Sequence, residues 1–238
     1  MCGRVAQFMS WAEIYELLSY RGPQPSVEII PRYNIPPDTR LQVLLDAGGE
    51  PLPASTKWGW APHWSTDRRR PSNARADQVA SSPFWRIAWP HRMLTPINGW
   101  FEWTGEKGNK RPWFIRRRDG QLTLCATVGQ VHHEEPQPGD GVAIITAAST
   151  GGMVDIHDRR PVAFTPELAR EWLDPATTRE RARDMLEHGE GPEAFEWFRV
   201  DVAANNARND GPQIITPETT KGPGPAEQDP GPRPPVNS

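Results

Sequence analysis

Residues 113–128 read WFIRRRDGQLTLCATV, and this stretch carries the clearest indication of local structure in the chain. Two apolar runs, at 113–115 and 122–128, flank the pair Asp119-Gly120. An Asp-Gly pair between apolar runs is typical of the tight turn of a β-hairpin. The sequence therefore predicts two antiparallel strands joined by a turn at this pair.

Other segments extend the β-rich pattern on both sides of this stretch. Residues 65–83 are different, because they show little periodicity and are rich in Arg, Ser, Pro and Asn. They indicate a long surface loop, a kind of segment that often carries function. Further strands are predicted from apolar patterning at 41–45, 58–60, 94–103, 142–148 and 195–202.

Helices are predicted near both ends of the chain. The first begins at Ser10, which starts a capping-box spacing, and runs through Leu18. A second runs from Thr165 through Trp172 with Pro at its first position, and a third begins at Thr177, three residues before a Glu. Strands in the middle and helices at the ends predict an α+β fold, with a mainly antiparallel, barrel-like sheet core and a few flanking helices.

The chain is predicted to hold one domain and a tail. Its 238 residues suit a single folded domain at 1–216, with Met1 removed from the mature protein. Residues 217–238 are rich in Pro and Gly and nearly lack large apolar side chains. This composition is typical of a disordered segment.

Composition excludes several classes of protein. Two cysteines provide no disulfide framework, and the first residues lack the apolar stretch of a secretory signal peptide. No apolar run approaches the length of about 20 residues that a membrane span requires. We therefore expect a cytoplasmic protein with no membrane association.

The distribution of arginine matters more than the net charge of −3, which argues against binding duplex DNA by charge alone. Arginines cluster at 68–70, 116–118 and 159–160. Because the guanidinium group suits phosphate, a local Arg-lined groove can hold a short nucleic-acid segment on an acidic protein. For the first two runs, a solvated surface is the favoured interpretation.

Cys2 offers unusual chemistry if Met1 is removed. The product carries an α-amine, with a pKa of about 8, and a thiol on adjacent carbons. Such a 1,2-aminothiol condenses with an aldehyde: the amine forms an imine, and the thiol adds to it to close a five-membered thiazolidine ring. From this residue alone, a small packing cysteine is the simpler interpretation.

Six short blocks of sequence favour a functional interpretation of Cys2. Together with Cys at position 2, they resemble the SOS response-associated peptidase (SRAP) family of abasic-site processing proteins, and the likeness runs to about Ile215. The blocks are RYNIP at 32–36, WGWAPHW at 58–64, NARA at 73–76, GWFEW at 99–103, IHDRRP at 156–161 and VAANN at 202–206.

The resemblance implies a reaction with single-stranded DNA that contains abasic sites, so the cytoplasmic protein is expected to be nucleoid-associated when it is bound to DNA. Cys2 attacks the aldehyde of the ring-opened sugar and forms a thiazolidine DNA–protein crosslink, as part of the DNA-damage (SOS) response. Peptidase activity on the initiator Met, and strand cleavage by β-elimination (lyase activity), are associated possibilities. Two alternatives remain open, a thiol peptidase that acts on peptides and a non-catalytic single-strand binding module.

The resemblance also assigns catalytic roles. Cys2 is the nucleophile, and Glu102, desolvated between Phe101 and Trp103, shuttles protons near neutral pH. His157 assists opening of the sugar, and Asn73 positions the reactants. Taken alone, Glu102 equally suits an exposed strand Glu. His157 alone better suits a structural His paired with Asp155 or Asp158, and Asn73 also suits a turn Asn.

Six further residues are implied to contact DNA. Arg4, Arg75 and Arg159 are phosphate forks, with Thr146 as a lesser contact to the backbone. Trp64 and Phe84 are candidates for stacking beside the lesion, and each is equally compatible with a place in the core.

No cofactor or metal is expected. The cluster HHEE at 132–135 lacks a second pair with ligand spacing. The absence of a coiled-coil pattern makes a monomer the expected state. Three departures from the family pattern remove no catalytic group: Asp77 stands where Glu is usual, Arg160 where Met is common, and Met93 where Cys is frequent.

Overall fold

The computed structural model describes residues 2–26, 28–46, 50–66 and 70–218, and two β-sheets form its centre. The first sheet has the spatial order β13 (Phe195–Arg199), β8 (Arg111–Arg117), β7 (Gly99–Thr104), β1 (Val5–Gln7) and β2 (Arg32–Ile35). The second has the order β11 (Arg159–Pro161), β10 (Gly141–Ala148), β9 (Thr123–Gln130), β6 (Arg92–Ile97), β3 (Arg40–Asp46) and β4 (Pro51–Lys57). Two short strands complete the second sheet, β12 (Ala163–Phe164) beside β9 and β5 (Asn73–Arg75) beside β10.

The predicted α+β class with a mainly antiparallel core is confirmed. Among the named strands of the described residues, only β5 runs parallel to its partner, β10. The two sheets are open, so the core is a pair of packed sheets and not a closed barrel.

Four α-helices flank the sheets: α1 (Trp11–Leu17), α2 (Ala76–Val79), α3 (Pro166–Leu173) and α4 (Arg179–Met185). The capping box at the start of α1 is confirmed, because the Ser10 hydroxyl accepts from the Glu13 N–H and the Glu13 carboxylate accepts from the Ser10 N–H. Helix α4 begins one residue later than predicted. Its cap is Thr178, whose hydroxyl accepts from the Arg181 N–H.

The predicted hairpin at residues 113–128 is wrong in its pairing. Both strands exist, and Gly120 turns the chain between them with φ of 74°. However, β8 pairs with β7 and β13, whereas β9 pairs with β6, β10 and β12. The turn therefore carries the chain from one sheet to the other, because β8 pairs with the strand before it, β7, and β9 with the strand after β9, β10, while the more distant strands β13 and β6 take their other edges.

Other boundaries also differ from those predicted. The segment 94–103 forms two strands, β6 and β7, and the segment 58–60 contributes only an isolated bridge between Trp58 and Val142, after the unpredicted strand β4. The expected loop at 65–83 contains β5 and α2. The last strand, β13, ends at Arg199 and is followed by a 3-10 helix at Val202–Asn205.

Three apolar layers result from the alternation of side chains along the strands. In β9, Leu124 and Ala126 face the helices, whereas Cys125 faces the space between the sheets. In β7, Trp100 faces the space between the sheets and Phe101 packs on the opposite, outer face. The residues near the start of the chain, Cys2 and Val5, pack in the layer between the two sheets.

Some predicted features lie outside the described residues, namely Met1, residues 68 and 69 of the first Arg run, and the tail from residue 219 onward. Within the part that is described, none of the helices combines the length and apolar character needed to cross a membrane.

Candidate active site

Cys2 lies fully buried in the inter-sheet layer, just before β1. The antiparallel pairing of β1 with β7 continues toward it, because the Phe101 N–H donates to the Arg4 carbonyl at 2.9 Å. The Cys2 carbonyl accepts a hydrogen bond of 2.8 Å from Nδ2 of Asn73. The backbone of the predicted nucleophile is therefore held by two neighbouring elements.

Asn73 is the first residue of β5, whose parallel pairing with β10 sets Asn73 opposite Ile144. Its amide nitrogen also lies 3.2 Å from the Ser72 hydroxyl. Its other terminal atom, Oδ1, is buried and has no hydrogen-bond partner among the described residues. Asn73 thus binds the Cys2 carbonyl through its Nδ2 donor, and its Oδ1 acceptor is buried on the same side chain.

Glu102 lies on β7, two residues after Trp100, so the alternation of the strand points it to the same inter-sheet side. It is only 3 % exposed, and burial raises its pKa from 4.5 to about 7. The predicted elevation of this pKa is confirmed, but its cause differs from the one expected. Phe101 and Trp103 stack on each other on the outer face, and the packing of the two sheets excludes water from the carboxyl group.

Burial also raises the pKa of the Cys2 thiol well above its ordinary value, and the nearby charge of Glu102 raises it further. A buried thiol beside a carboxylate stays protonated at neutral pH. Because the thiolate is the reactive form, Cys2 needs a base when it reacts. Glu102 is placed to be that base, since it influences the thiol and has a pKa near 7.

His157 follows the 3-10 helix at Gly151–Asp155, and its Nε2 lies 3.9 Å from Oε2 of Glu102. Its Nδ1 accepts from the Arg159 N–H at 3.0 Å and lies 2.7 Å from Oδ1 of Asp158. Donation to the exposed Asp158 would need a proton on Nδ1, in the charged ring or in the Nδ1–H tautomer, and that proton would leave the Arg159 N–H without its acceptor. Burial lowers the His157 pKa, which disfavours the charged ring. We therefore assign the neutral ring, with Nδ1 accepting from Arg159 and the Nε2 proton on the side of Glu102.

A second group of residues adjoins His157 and contains two predicted phosphate contacts. Arg159 donates from Nε to the Thr146 hydroxyl at 3.2 Å and from Nη2 to the Thr146 carbonyl. Arg75 donates to both carboxylate oxygens of Asp77, at 3.1 and 2.7 Å, and Nη2 of Arg159 lies 4.0 Å from the same carboxylate. Thr146 itself is fully buried. It therefore orients Arg159 in this structure and offers no surface of its own to a strand.

Arg4 occupies a different environment. Its Nη1 donates to Oδ1 of Asn34 at 2.6 Å and to the Ala204 carbonyl at 3.2 Å, and its guanidinium lies over the Trp103 ring at 5.5 Å from the centroid. Arg4 and Trp103 line a cavity of about 440 Å³, together with Lys110. A phosphate at Arg4 would thus bind in this cavity and not in the one that Arg75 and Arg159 line.

Asn34 is a structural residue that the sequence analysis did not single out. It is 1 % exposed, and its Nδ2 donates to the carbonyls of Ala204, Asn206 and Asn209 while its Oδ1 accepts from Arg4. The residues involved were visible in the sequence, because Asn34 lies inside the block RYNIP, two of its partners lie inside the block VAANN, and the third, Asn209, follows that block. Nothing in either block shows that the two meet.

The aromatic candidates form their own group. Trp64 is 52 % exposed, and its ring meets the partly buried Phe84 edge-on at 6.1 Å. Phe84 also packs against Trp60 and Trp85, at 5.9 and 4.9 Å between centroids. Trp64 therefore presents a free ring face, whereas Phe84 supports it from the core.

Across residues 2–218, leaving out the undescribed gaps, no group of three or more His, Cys, Asp or Glu is arranged to hold a metal ion. His132, from the cluster at 132–135, instead has its Nδ1 2.6 Å from Oδ1 of Asp140.

Comparison with known proteins identifies the family. The abasic site processing protein YedK of Escherichia coli is 36 % identical over 222 residues, which cover 91 % of this chain and all of YedK. The abasic site processing protein YoqW of Bacillus subtilis is 28 % identical and covers 90 % of this chain and 99 % of its own. The crystal structure of a phage-related protein of Bordetella bronchiseptica is similar with a TM-score of 0.70 and 37 % identity, covering 84 % of this chain and 94 % of that one. The family model described as SOS response associated peptidase (SRAP) matches residues 1–207, and the chain therefore belongs to the SRAP family.

Proposed function

We propose that this protein processes abasic sites in single-stranded DNA by forming a covalent thiazolidine link through Cys2. The observation that carries the proposal is the placement of Cys2. Its carbonyl accepts a hydrogen bond from Asn73, and the charge of Glu102, whose own pKa is about 7, raises the pKa of its thiol. The relatives named as abasic site processing proteins support the same substrate.

The reaction begins when removal of Met1 frees the α-amine of Cys2. The amine adds to the aldehyde carbon of the ring-opened sugar, and loss of water gives an imine. The Cys2 sulfur then adds to the imine carbon as the thiol proton moves to the nitrogen. The sum is one aldehyde and one aminothiol giving one thiazolidine and one water, so no oxidant, metal or cofactor is consumed.

Glu102 and His157 supply the proton transfers. At neutral pH, both forms of Glu102 are populated, so the group can accept a proton from the amine or thiol and return it to the departing water. His157 presents its Nε2 proton near the same carboxylate and donates to the sugar oxygen, which favours the open aldehyde. Arg75 and Arg159 hold phosphates, and Trp64 stacks against a base.

Two related activities belong to the same proposal. An imine acidifies the carbon beside it, so proton removal by Glu102 or His157 leads to β-elimination and strand cleavage when ring closure fails. Removal of Met1 by the protein's own site would be the peptidase activity that the family name describes.

The test is a denaturing gel of the protein with single-stranded DNA that carries one abasic site, combined with intact mass spectrometry. We expect a heat-stable band whose mass equals the protein without Met1 plus the DNA, less one water. Cys2→Ala should abolish the band, whereas the matched control Cys125→Ala should retain it. A crosslinking Cys2→Ala variant would refute the proposal.

A protein that lacks Met1 and forms no band would also refute it. Turnover of an added peptide would then identify the thiol peptidase, and equal affinity for intact and abasic strands would identify a plain binding module.

A further inference from the structure

Arg160 is a buried charge that the proposed chemistry does not use. It follows Arg159 in β11, is only 8 % exposed, and has two nitrogens, Nε and Nη1, that are buried without a hydrogen-bond partner among the described residues. Buried charged groups in folded proteins are ordinarily hydrogen-bonded, so an unpartnered guanidinium calls for an explanation.

The groups around Arg160 do not supply that partner. Glu190 and Glu193 are close enough to act on its charge, but Glu190 is bound by Arg117. On the second sheet, Arg160 lies opposite Ala147, which has no side-chain acceptor. The two carboxylates therefore lower the cost of burying Arg160 without occupying its donors.

Arg160 lines a cavity of about 560 Å³, which extends to the phosphate contacts of the proposed function. Arg75 and Arg159 line the same cavity, and Arg183 reaches it from the exposed face of α4. Four arginines thus share one cavity, against the two acidic lining residues Asp77 and Glu187. The excess of positive charge suits an anion, and the size suits part of a nucleotide strand.

We propose that Arg160 and Arg183 bind a second phosphate of the DNA strand, adjacent to the phosphate held by Arg75 and Arg159. The inference rests on the proposed function and extends it, because it lengthens the strand contact by at least one nucleotide along the cavity.

The first experiment measures binding of fluorescent, undamaged oligothymidylate by anisotropy over a series of salt concentrations. We expect Arg160→Met and Arg183→Met each to weaken binding on the order of tenfold. Each should also reduce the slope of log affinity against log salt by about 0.7, the value for one phosphate contact on a single strand. Arg179→Met, the same change in α4 at a residue that does not line the cavity, is the control and should bind like the wild type.

The second experiment locates the phosphate. Single neutral methylphosphonate linkages are placed at successive positions of the oligonucleotide. One position should weaken binding to the wild type while leaving binding to Arg160→Met almost unchanged, because that variant has already lost the contact. Thermal unfolding confirms that each variant is folded, and Arg183 supplies an exposed position at which substitution does not disturb the core.

The inference would be overturned if Arg160→Met and Arg183→Met both kept the wild-type affinity and salt slope while Arg75→Met bound more weakly. That result would leave the proposed function intact. Failure of the wild type to crosslink abasic DNA would instead refute the proposed function. The two failures are distinguishable, because the binding measurements use DNA without an abasic site.

Discussion

The Arg159 N–H donates a hydrogen bond of 3.0 Å to Nδ1 of His157, and this contact joins a predicted phosphate contact to a predicted catalytic residue. Because Nδ1 accepts, the neutral ring carries its proton on Nε2, 3.9 Å from Oε2 of Glu102. The backbone of one predicted phosphate contact thereby selects the tautomer of a predicted catalytic residue.

His157→Gln should separate chemistry from binding. Loss of the ring removes the proton donor near the sugar, so we expect the single-turnover crosslinking rate at saturating abasic DNA to fall about tenfold to a hundredfold. The Kd for undamaged DNA should change less than about twofold, because His157 contributes no charge at neutral pH. Rapid-quench kinetics and anisotropy give the two values, and a large change in Kd with an unchanged rate would contradict the assigned role.

Glu102 makes the reaction depend on pH. Its carboxylate form is the base, and its pKa is about 7, so the crosslinking rate should rise as pH increases from 6 through about 7. Glu102→Gln should be slow at every pH and lack this rise. Initial crosslinking rates measured from pH 5.5 to 8.5 would show whether the rise is lost. A Glu102→Gln variant that keeps the wild-type pH profile would exclude Glu102 as the titrating base.

The same carboxyl group should affect stability. The unfolded chain loses this proton near pH 4.5 and the folded protein near pH 7, so folded stability falls as pH rises between these values and the loss is complete above pH 7. Glu102→Gln removes the buried charge. It should raise the free energy of unfolding by about 2–3 kcal/mol at pH 8 and change it little at pH 4.

Urea denaturation of the two proteins at both pH values measures this difference. Equal stabilities at pH 8 would show that the carboxylate is well solvated in the folded protein, against the burial seen in the structure.

If Arg75 and Arg159 bind phosphates as proposed, Asp77 should compete with DNA for both arginines. Its carboxylate accepts from Arg75 and lies 4.0 Å from Arg159, so a phosphate must displace it. The pair with Arg75 is exposed, and exposed pairs are weak. Asp77→Asn should therefore strengthen binding of undamaged single-stranded DNA by about two- to fivefold.

The control for this prediction is Glu16→Gln on the exposed face of α1, which removes one negative charge elsewhere. Anisotropy titrations at fixed salt compare the two variants. If both strengthen binding equally, net charge alone is responsible; if Asp77→Asn weakens binding, the carboxylate orients the arginines for DNA.

Asn34 should matter for stability more than any exposed Asn. Its buried amide links β2 to the segment after β13 through three backbone carbonyls. Asn34→Ala leaves those acceptors and Arg4 without their partner and should cost about 2–4 kcal/mol. Denaturant unfolding tests this prediction, with Asn109→Ala at an exposed position as the matched control. Similar losses of unfolding free energy in the two variants would contradict the role of Asn34.

Several parts of the site were accessible from the sequence. The blocks around Asn73, Glu102 and His157, together with Cys2, were enough to indicate the family. The contacts of these residues were not accessible. Glu102 is desolvated by the packing of two sheets, and not by the two aromatic residues beside it in the chain. Likewise, the sequence placed Thr146 on the DNA, whereas the fold buries it beneath Arg159.

The stretch at 113–128 shows where local information ends. The apolar runs and the Asp-Gly pair determined that two strands form and that the chain turns at Gly120, because backbone preferences act over a few residues. Only the tertiary structure decided that β8 and β9 belong to different sheets. Strand pairing depends on how each strand packs against all of its possible neighbours. In this protein the pairing of β8 with β7 and β13, and of β9 with β6 and β10, outweighs the pairing that the turn alone favours.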